Sequence, residues 1–136
     1  MTEIRRDLSP AIVISKADHT KLYELALAGL DRMPDVAERL LTELDRARVV
    51  EDKKISAEVA QMGSRVTYQT NSGQEQTVTL AYPADADIEQ GKISVMTPVG
   101  AALIGLKTGQ AITWHDRSGK RQLLTVVSVE APVAAE

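Results

Sequence analysis

With 136 residues, a formal net charge of −3 and 43% hydrophobic residues, the chain suits one ordinary domain or two very small ones, with enough apolar content for a core. Ten basic residues face twelve acidic ones in residues 1–60 and six face seven in 61–136, so neither half has the basic excess that binding to a phosphate backbone requires. The absence of cysteine excludes a disulfide framework, a thiolate nucleophile and a Cys-based zinc site.

At the N-terminus, Arg5 and Arg6 precede an apolar run of only four residues, 11–14, too short for a signal peptide or a membrane span. A cytoplasmic protein is the expectation. From Ser15 the pattern is helical: Ser15 is an N-cap, Asp18 lies in the first turn, and Leu22, Leu25, Ala26 and Gly29 share one face. Gly29 ends this helix. A second begins near Pro34, with Asp35 and Glu38 at its positive end, Arg46 and Arg48 at its negative end, and a stripe of Ala37, Leu40, Leu41, Leu44 and Ala47. The connection Leu30-Asp31-Arg32-Met33 is so short that the two helices must fold back as an antiparallel hairpin to bury both stripes.

Beyond Met62 the period changes to two. Val66 and Tyr68, the turn Asn71-Ser72-Gly73, then Val78, Leu80 and Tyr82 predict a β-hairpin. An acidic loop follows, and then residues 93–114: a strand around Ile93 and Val95, a helix capped by Thr97 with Pro98 in its first position, a stop at Gly105, and a strand from Ala111 to Trp114. A turn at Ser118-Gly119 leads to a last strand spanning 124–129. The fold class is α+β: a helical hairpin over 1–54, a mainly antiparallel sheet with one short helix against its inner face over 55–130, and a flexible tail over 131–136.

Motifs for chemistry are sparse. His19 and His115 have no partner spacing for a metal or a triad and are expected to be ordinary surface polar groups. Asp85, Asp87 and Glu89 alternate like the start of a calcium loop. The sixth position is Gln90 rather than Gly and the twelfth Met96 rather than Glu, so a solvated acidic turn is expected. Gly100, Gly105 and Gly109 follow no phosphate-loop order, and Trp114 reads as core or half-exposed packing. No cofactor or metal is expected.

Residues 63–129 resemble the C-terminal domain of the Gre transcription factors. The resemblance is carried by Ser64-Arg65-Val66, the strand exit Tyr82-Pro83-Ala84, the run 93–105 and the strand end at Trp114. That strand exit, the helix Thr97-Pro98-Val99-Gly100-Ala101-Ala102-Leu103 and the earlier Glu43-Leu44-Asp45-Arg46-Ala47 are closer to the Rnk branch, the regulators of nucleoside diphosphate kinase, than to a standard Gre factor. The resemblance implies an FKBP-like domain behind an N-terminal coiled coil. It also implies a partner, bacterial RNA polymerase, docked at its secondary channel through the turn Met96-Thr97-Pro98.

Gre factors reach the catalytic magnesium with acidic residues at the hairpin tip. Asp31 and Asp35 occupy the tip here, on a much shorter hairpin, so transcript cleavage is not expected. Nothing in the chain resembles a nucleotide site, which makes any effect on nucleoside diphosphate kinase indirect. Two other readings stand beside this one. A prolyl isomerase is disfavoured because only four aromatic residues, Tyr23, Tyr68, Tyr82 and Trp114, could wall its pocket. A general protein-interaction adaptor is compatible with the same fold.

Overall fold

The computed structural model describes residues 9–116 and 118–132; most of the predicted tail, 133–136, lies outside the described residues. The elements run β1 (Val13–Ser15), α1 (Lys16–Gly29), α2 (Pro34–Arg46), β2 (Arg48–Val50), β3 (Arg65–Thr70), β4 (Glu75–Ala81), β5 (Lys92–Ser94), α3 (Pro98–Leu103), β6 (Ala111–His115) and β7 (Arg121–Glu130). Single 3-10 turns at Asp52–Lys54, Pro83–Asp85 and Ile88–Gln90 fill the connections.

The two long helices form where their patterns place them. The Ser15 hydroxyl accepts from the Asp18 N–H at 3.3 Å and caps α1. Pro34 starts α2, where its missing N–H costs no hydrogen bond. The helices run antiparallel: Met33 N–H reaches Gly29 carbonyl at the connection, while at the far end the His19 ring nitrogen Nε2 lies 3.1 Å from the Leu44 carbonyl oxygen. His19 is therefore not an ordinary surface group. It is half-buried, its ring stacked on Tyr23 with centroids 6.3 Å apart, and it bridges the open end of the helix pair.

One assignment at the C-terminus of α2 is corrected. Arg48 does not lie in the helix; Ala47 turns extended, and Arg48 N–H pairs with the Ile12 carbonyl at 2.9 Å. Residues 48–50 then form a parallel pair with 13–15, Val13 opposite Arg48 and Ser15 opposite Val50. Three-residue strands are too short to show a period of two, so the sequence carries no signal for them.

The main sheet has the order β5-β4-β3-β7-β6. All its pairs are antiparallel except β4 with β5, which a crossover through the acidic loop makes parallel. That loop is a turn in its own right: Asp87 exchanges both backbone hydrogen bonds with Lys92, and its side chain accepts from the Glu89 N–H at 3.1 Å. Helix α3 is capped as predicted, and Gly105 follows it with φ +83, a left-handed value that a side chain would resist. A Cβ there would also sit 2.9 Å from Ile12 Cβ, so this turn brings α3 close to the strand β1.

Both parts share one hydrophobic core. Leu22, Ala26, Ala37, Leu40 and Leu44 of the helix pair belong to the same contiguous cluster as Val66, Leu80, Val95, Leu103, Ile112 and Leu124 of the sheet and α3. The pair therefore packs against α3 and the β1–β2 strands and joins the core of the sheet instead of standing clear of it. Among the described residues no helix is long and apolar enough to cross a membrane.

Candidate functional site

The turn from β5 into α3 is built by a short ladder of local hydrogen bonds. Val95 N–H donates to the Ala81 carbonyl at 2.9 Å, continuing the sheet one residue past the strand. Met96 N–H donates to Ser94 Oγ at 2.9 Å. The Thr97 hydroxyl donates to the Ser94 carbonyl at 2.7 Å and accepts from Gly100 N–H at 3.1 Å, so one side chain both closes the turn and caps the helix. This fixes which residues the turn presents. Met96 is only 4% exposed and packs toward Gly29 of α1, whereas Thr97, Pro98 and Val99 are half-buried and reach the surface.

Pro98 and Trp114 stand side by side as a ridge between two open clefts. On one side a cleft of about 620 Å³ is lined by Tyr68, Val78, Ile88, Ile93 and Val99, with Lys92 and Asp116 at polar positions. Ile88, 86% exposed, forms its outer lip. On the other side a cleft of about 670 Å³ is lined by Met33, Asp35 and Arg39 of the helix pair and by Ala101 and His115. The hairpin connection and the β5–α3 turn, far apart in sequence, thus share one surface. Asp35 lines it; Asp31 is exposed but does not. Among the described residues no group of three or more histidine or acidic side chains is placed to hold a metal ion.

Trp114 lines both clefts, and its Nε1 is buried with no hydrogen-bond acceptor among the described residues. The Tyr82 hydroxyl is likewise buried and unpartnered, and burial, reinforced by the Asp18 carboxylate, pushes it up to about 12. Asp18 is itself raised by burial, against the opposing effect of the Met62 N–H, which donates to it at 3.2 Å.

Below the ridge, Asp116 organises the β6–β7 turn. Its carboxylate accepts from Ser118 Oγ at 2.6 Å, Gln122 Nε2 at 3.0 Å, and the N–H groups of Lys120 and Ser118 at 3.0 Å each. The Ser118 hydroxyl, followed by Gln122, holds this carboxyl at about 2, below its usual 3.8. A depressed carboxyl contributes stability that is fully present above the unfolded value and is lost as pH falls through the folded one. The side-chain carboxyl resonance of Asp116 is therefore expected to titrate near pH 2 in an NMR experiment, with the Ser118 and Lys120 amide shifts following it. A midpoint near 3.8 would show that the turn does not hold the carboxylate.

The helices and the five-stranded sheet with this capped turn make up a GreA/GreB-like α+β fold. Residues 55–131 match the family described as "Transcription elongation factor, GreA/GreB, C-term", and residues 10–50 match the Rnk N-terminus. The chain is 36% identical to the regulator of nucleoside diphosphate kinase of Escherichia coli K12 over 126 residues, covering 89% of this chain and 90% of that one. It is 39% identical to transcription elongation factor GreA of Syntrophomonas wolfei over 77 residues, 56% of this chain but 48% of that protein. A solved GreA/GreB elongation factor from Nitrosomonas europaea superposes with a TM-score of 0.68 at 35% identity, covering 90% of this chain and 99% of that one. The chain belongs to the Rnk family of regulators of nucleoside diphosphate kinase, whose C-terminal half is of the GreA/GreB type.

Sequence reasoning named the turn at 96–98 and the tip at Asp31 and Asp35 separately; the structure puts Asp35 and Pro98 on one cleft and leaves Asp31 and Met96 off it. It missed Asp116, although the pattern Asp-x-Ser-Gly is a turn signal. It also missed Glu43, a buried acid on a helix that otherwise reads as simply amphipathic.

Proposed function

We propose that the protein is a non-catalytic transcription regulator that binds bacterial RNA polymerase at its secondary channel and competes there with Gre-type factors. Its effect on nucleoside diphosphate kinase is then indirect, through transcription. In this reading the sheet and α3 are the FKBP-like docking body, and the helix pair is a shortened coiled-coil hairpin. The observation that carries it is the half-buried Thr97-Pro98 edge that reaches the surface on a GreA/GreB-type C-terminal domain, flanked by two open clefts. The helices of 14 and 13 residues are each only about 20 Å long. On helices this short, Asp31 and Asp35 lack the reach that transcript cleavage at a distant magnesium ion needs.

The test is retention of core RNA polymerase by the immobilised protein, with purified GreA as competitor. Thr97→Ala combined with Pro98→Ala is expected to weaken retention at least tenfold while the protein stays folded. Loss of the Thr97 cap costs about 1 kcal/mol, so thermal melts accompany the binding measurement. Unchanged retention by the folded variant would remove the docking edge from this turn, and failure of GreA to displace the wild type would remove the shared channel site.

A further inference from the structure

Glu43 is 3% exposed, in the last two turns of α2, and it faces two guanidinium groups. Arg39 Nε donates to one carboxylate oxygen at 3.1 Å; Arg46 donates to the other through Nε at 2.9 Å and NH2 at 2.6 Å. Neither arginine stops there. Arg39 NH2 reaches the Thr113 carbonyl of β6 at 3.2 Å, and Arg46 NH1 reaches the Ser9 and Pro10 carbonyls at 3.4 and 2.5 Å. One buried carboxylate thus organises two forks, one on the edge strand of the main sheet and one on the chain leading into β1.

A cluster of two cations and one anion is an inefficient way to gain stability. Desolvation offsets much of the Coulomb attraction, and apolar residues of similar size commonly replace such clusters at no loss. Its geometric demands are strict, because planar guanidinium forks accept few orientations of carboxylate and carbonyl partners. Apolar packing between α2 and α3 is non-directional, whereas these hydrogen bonds are directional. The backbone they grip is also informative. β6 is an edge of the sheet, and a helix placed over such an edge shields it from pairing with another chain.

We infer that Glu43 is a positioning residue: through Arg39 and Arg46 it latches the helix pair onto β6 and the segment before β1, and so holds the hairpin connection beside the Pro98–Trp114 ridge. This inference rests on the geometry alone and stands independently of the polymerase reading.

The chain contains no cysteine, so paired spin labels can be attached at cysteines introduced on the exposed Ala28 of α1 and Glu75 of β4. With native Glu43, double electron–electron resonance should give one narrow distance distribution. In Glu43→Gln, and more so in Glu43→Ala, the distribution should broaden or split. A third variant, Arg39→Met with Glu43→Leu and Arg46→Met, should melt no lower than the parent and still show the broad distribution. That combination separates positioning from stability and remains informative if Glu43→Ala fails to fold. A narrow, unshifted distribution in the folded triple variant would show that apolar packing alone sets the pose, and would overturn the inference.

Discussion

Gly100→Ala is expected to destabilise the protein by about 3 kcal/mol and to lower its Tm by roughly 10 °C. The residue sits in α3 directly behind the Thr97 cap, and a Cβ there would run into the Ser94 carbonyl oxygen and lie 2.8 Å from Val95 Cα. Both are backbone atoms of the β5–α3 turn, fixed by the bonds from Val95 to Ala81 and from Thr97 to Ser94, so no side-chain rotation relieves the clash. The added methyl must push α3 off the sheet or break the cap. Gly109→Ala is the matched control. Its φ of +94 disfavours a side chain, a cost that Gly100 in its helix does not carry, but nothing lies within 4 Å of the new Cβ, so only that conformational cost of about 1 kcal/mol applies. Urea and thermal melts of the two variants read the difference directly. Equal losses would mean that α3 is not held against the turn as closely as its hydrogen bonds require.

Leu40→Ala is expected to cost a similar amount, about 3 kcal/mol, and to do so in a single transition. Leu40 is fully buried at the centre of α2, in the cluster that includes Val95, Leu103 and Ile112. Truncating it opens a cavity in the core that the helix pair shares with α3 and the sheet. The chain supplies a convenient pair of probes. Trp114 is its single tryptophan and lies on β6, so fluorescence follows the sheet, while ellipticity near 222 nm follows mainly α1 and α2. The two curves should coincide in the wild type and shift together in the variant. Separation of the curves, with the helical signal melting first and Trp114 unmoved, would show that the helix pair is an independent unit with its own core.

Much of the architecture was legible along the chain because it is encoded in local terms. The cap at Ser15, the proline starts at Pro34 and Pro98, the stop after Leu103 and the alternation through Val66, Tyr68, Val78 and Leu80 are each decided by residues within a few positions of one another, and each is found in the structure. The periodicity of α2 also identified Ala37, Leu40 and Leu44 as buried, while Leu41 and Ala47 of the same expected stripe are only half-buried. Whether the protein binds a polymerase could not be read from any of these, since they describe a fold and not a site. The resemblance carried by the run 93–105 and by Glu43-Leu44-Asp45-Arg46-Ala47 supplied that direction, and the similarity to known Rnk and GreA/GreB proteins supports the family.

What the sequence determined by itself, then, is the set of elements, their caps and their buried faces, because helix periodicity, capping and turn chemistry are short-range effects. The tertiary structure alone decided the rest. The parallel pairing of residues 13–15 with 48–50 depends on two segments more than thirty residues apart, neither long enough to show a period. His19 became a bridge to Leu44, and Met96 a core residue beneath α1, only when the hairpin closed and lay down on the sheet. Asp35 and Pro98 came to share a cleft for the same reason. Glu43 is the clearest case: on a helical wheel it is one charged position among several, and its importance arises from two arginines whose second partners lie on the sheet edge and in the first described residues of the chain. Such contacts are governed by which surfaces meet after the core has formed, and no local pattern in the chain records that.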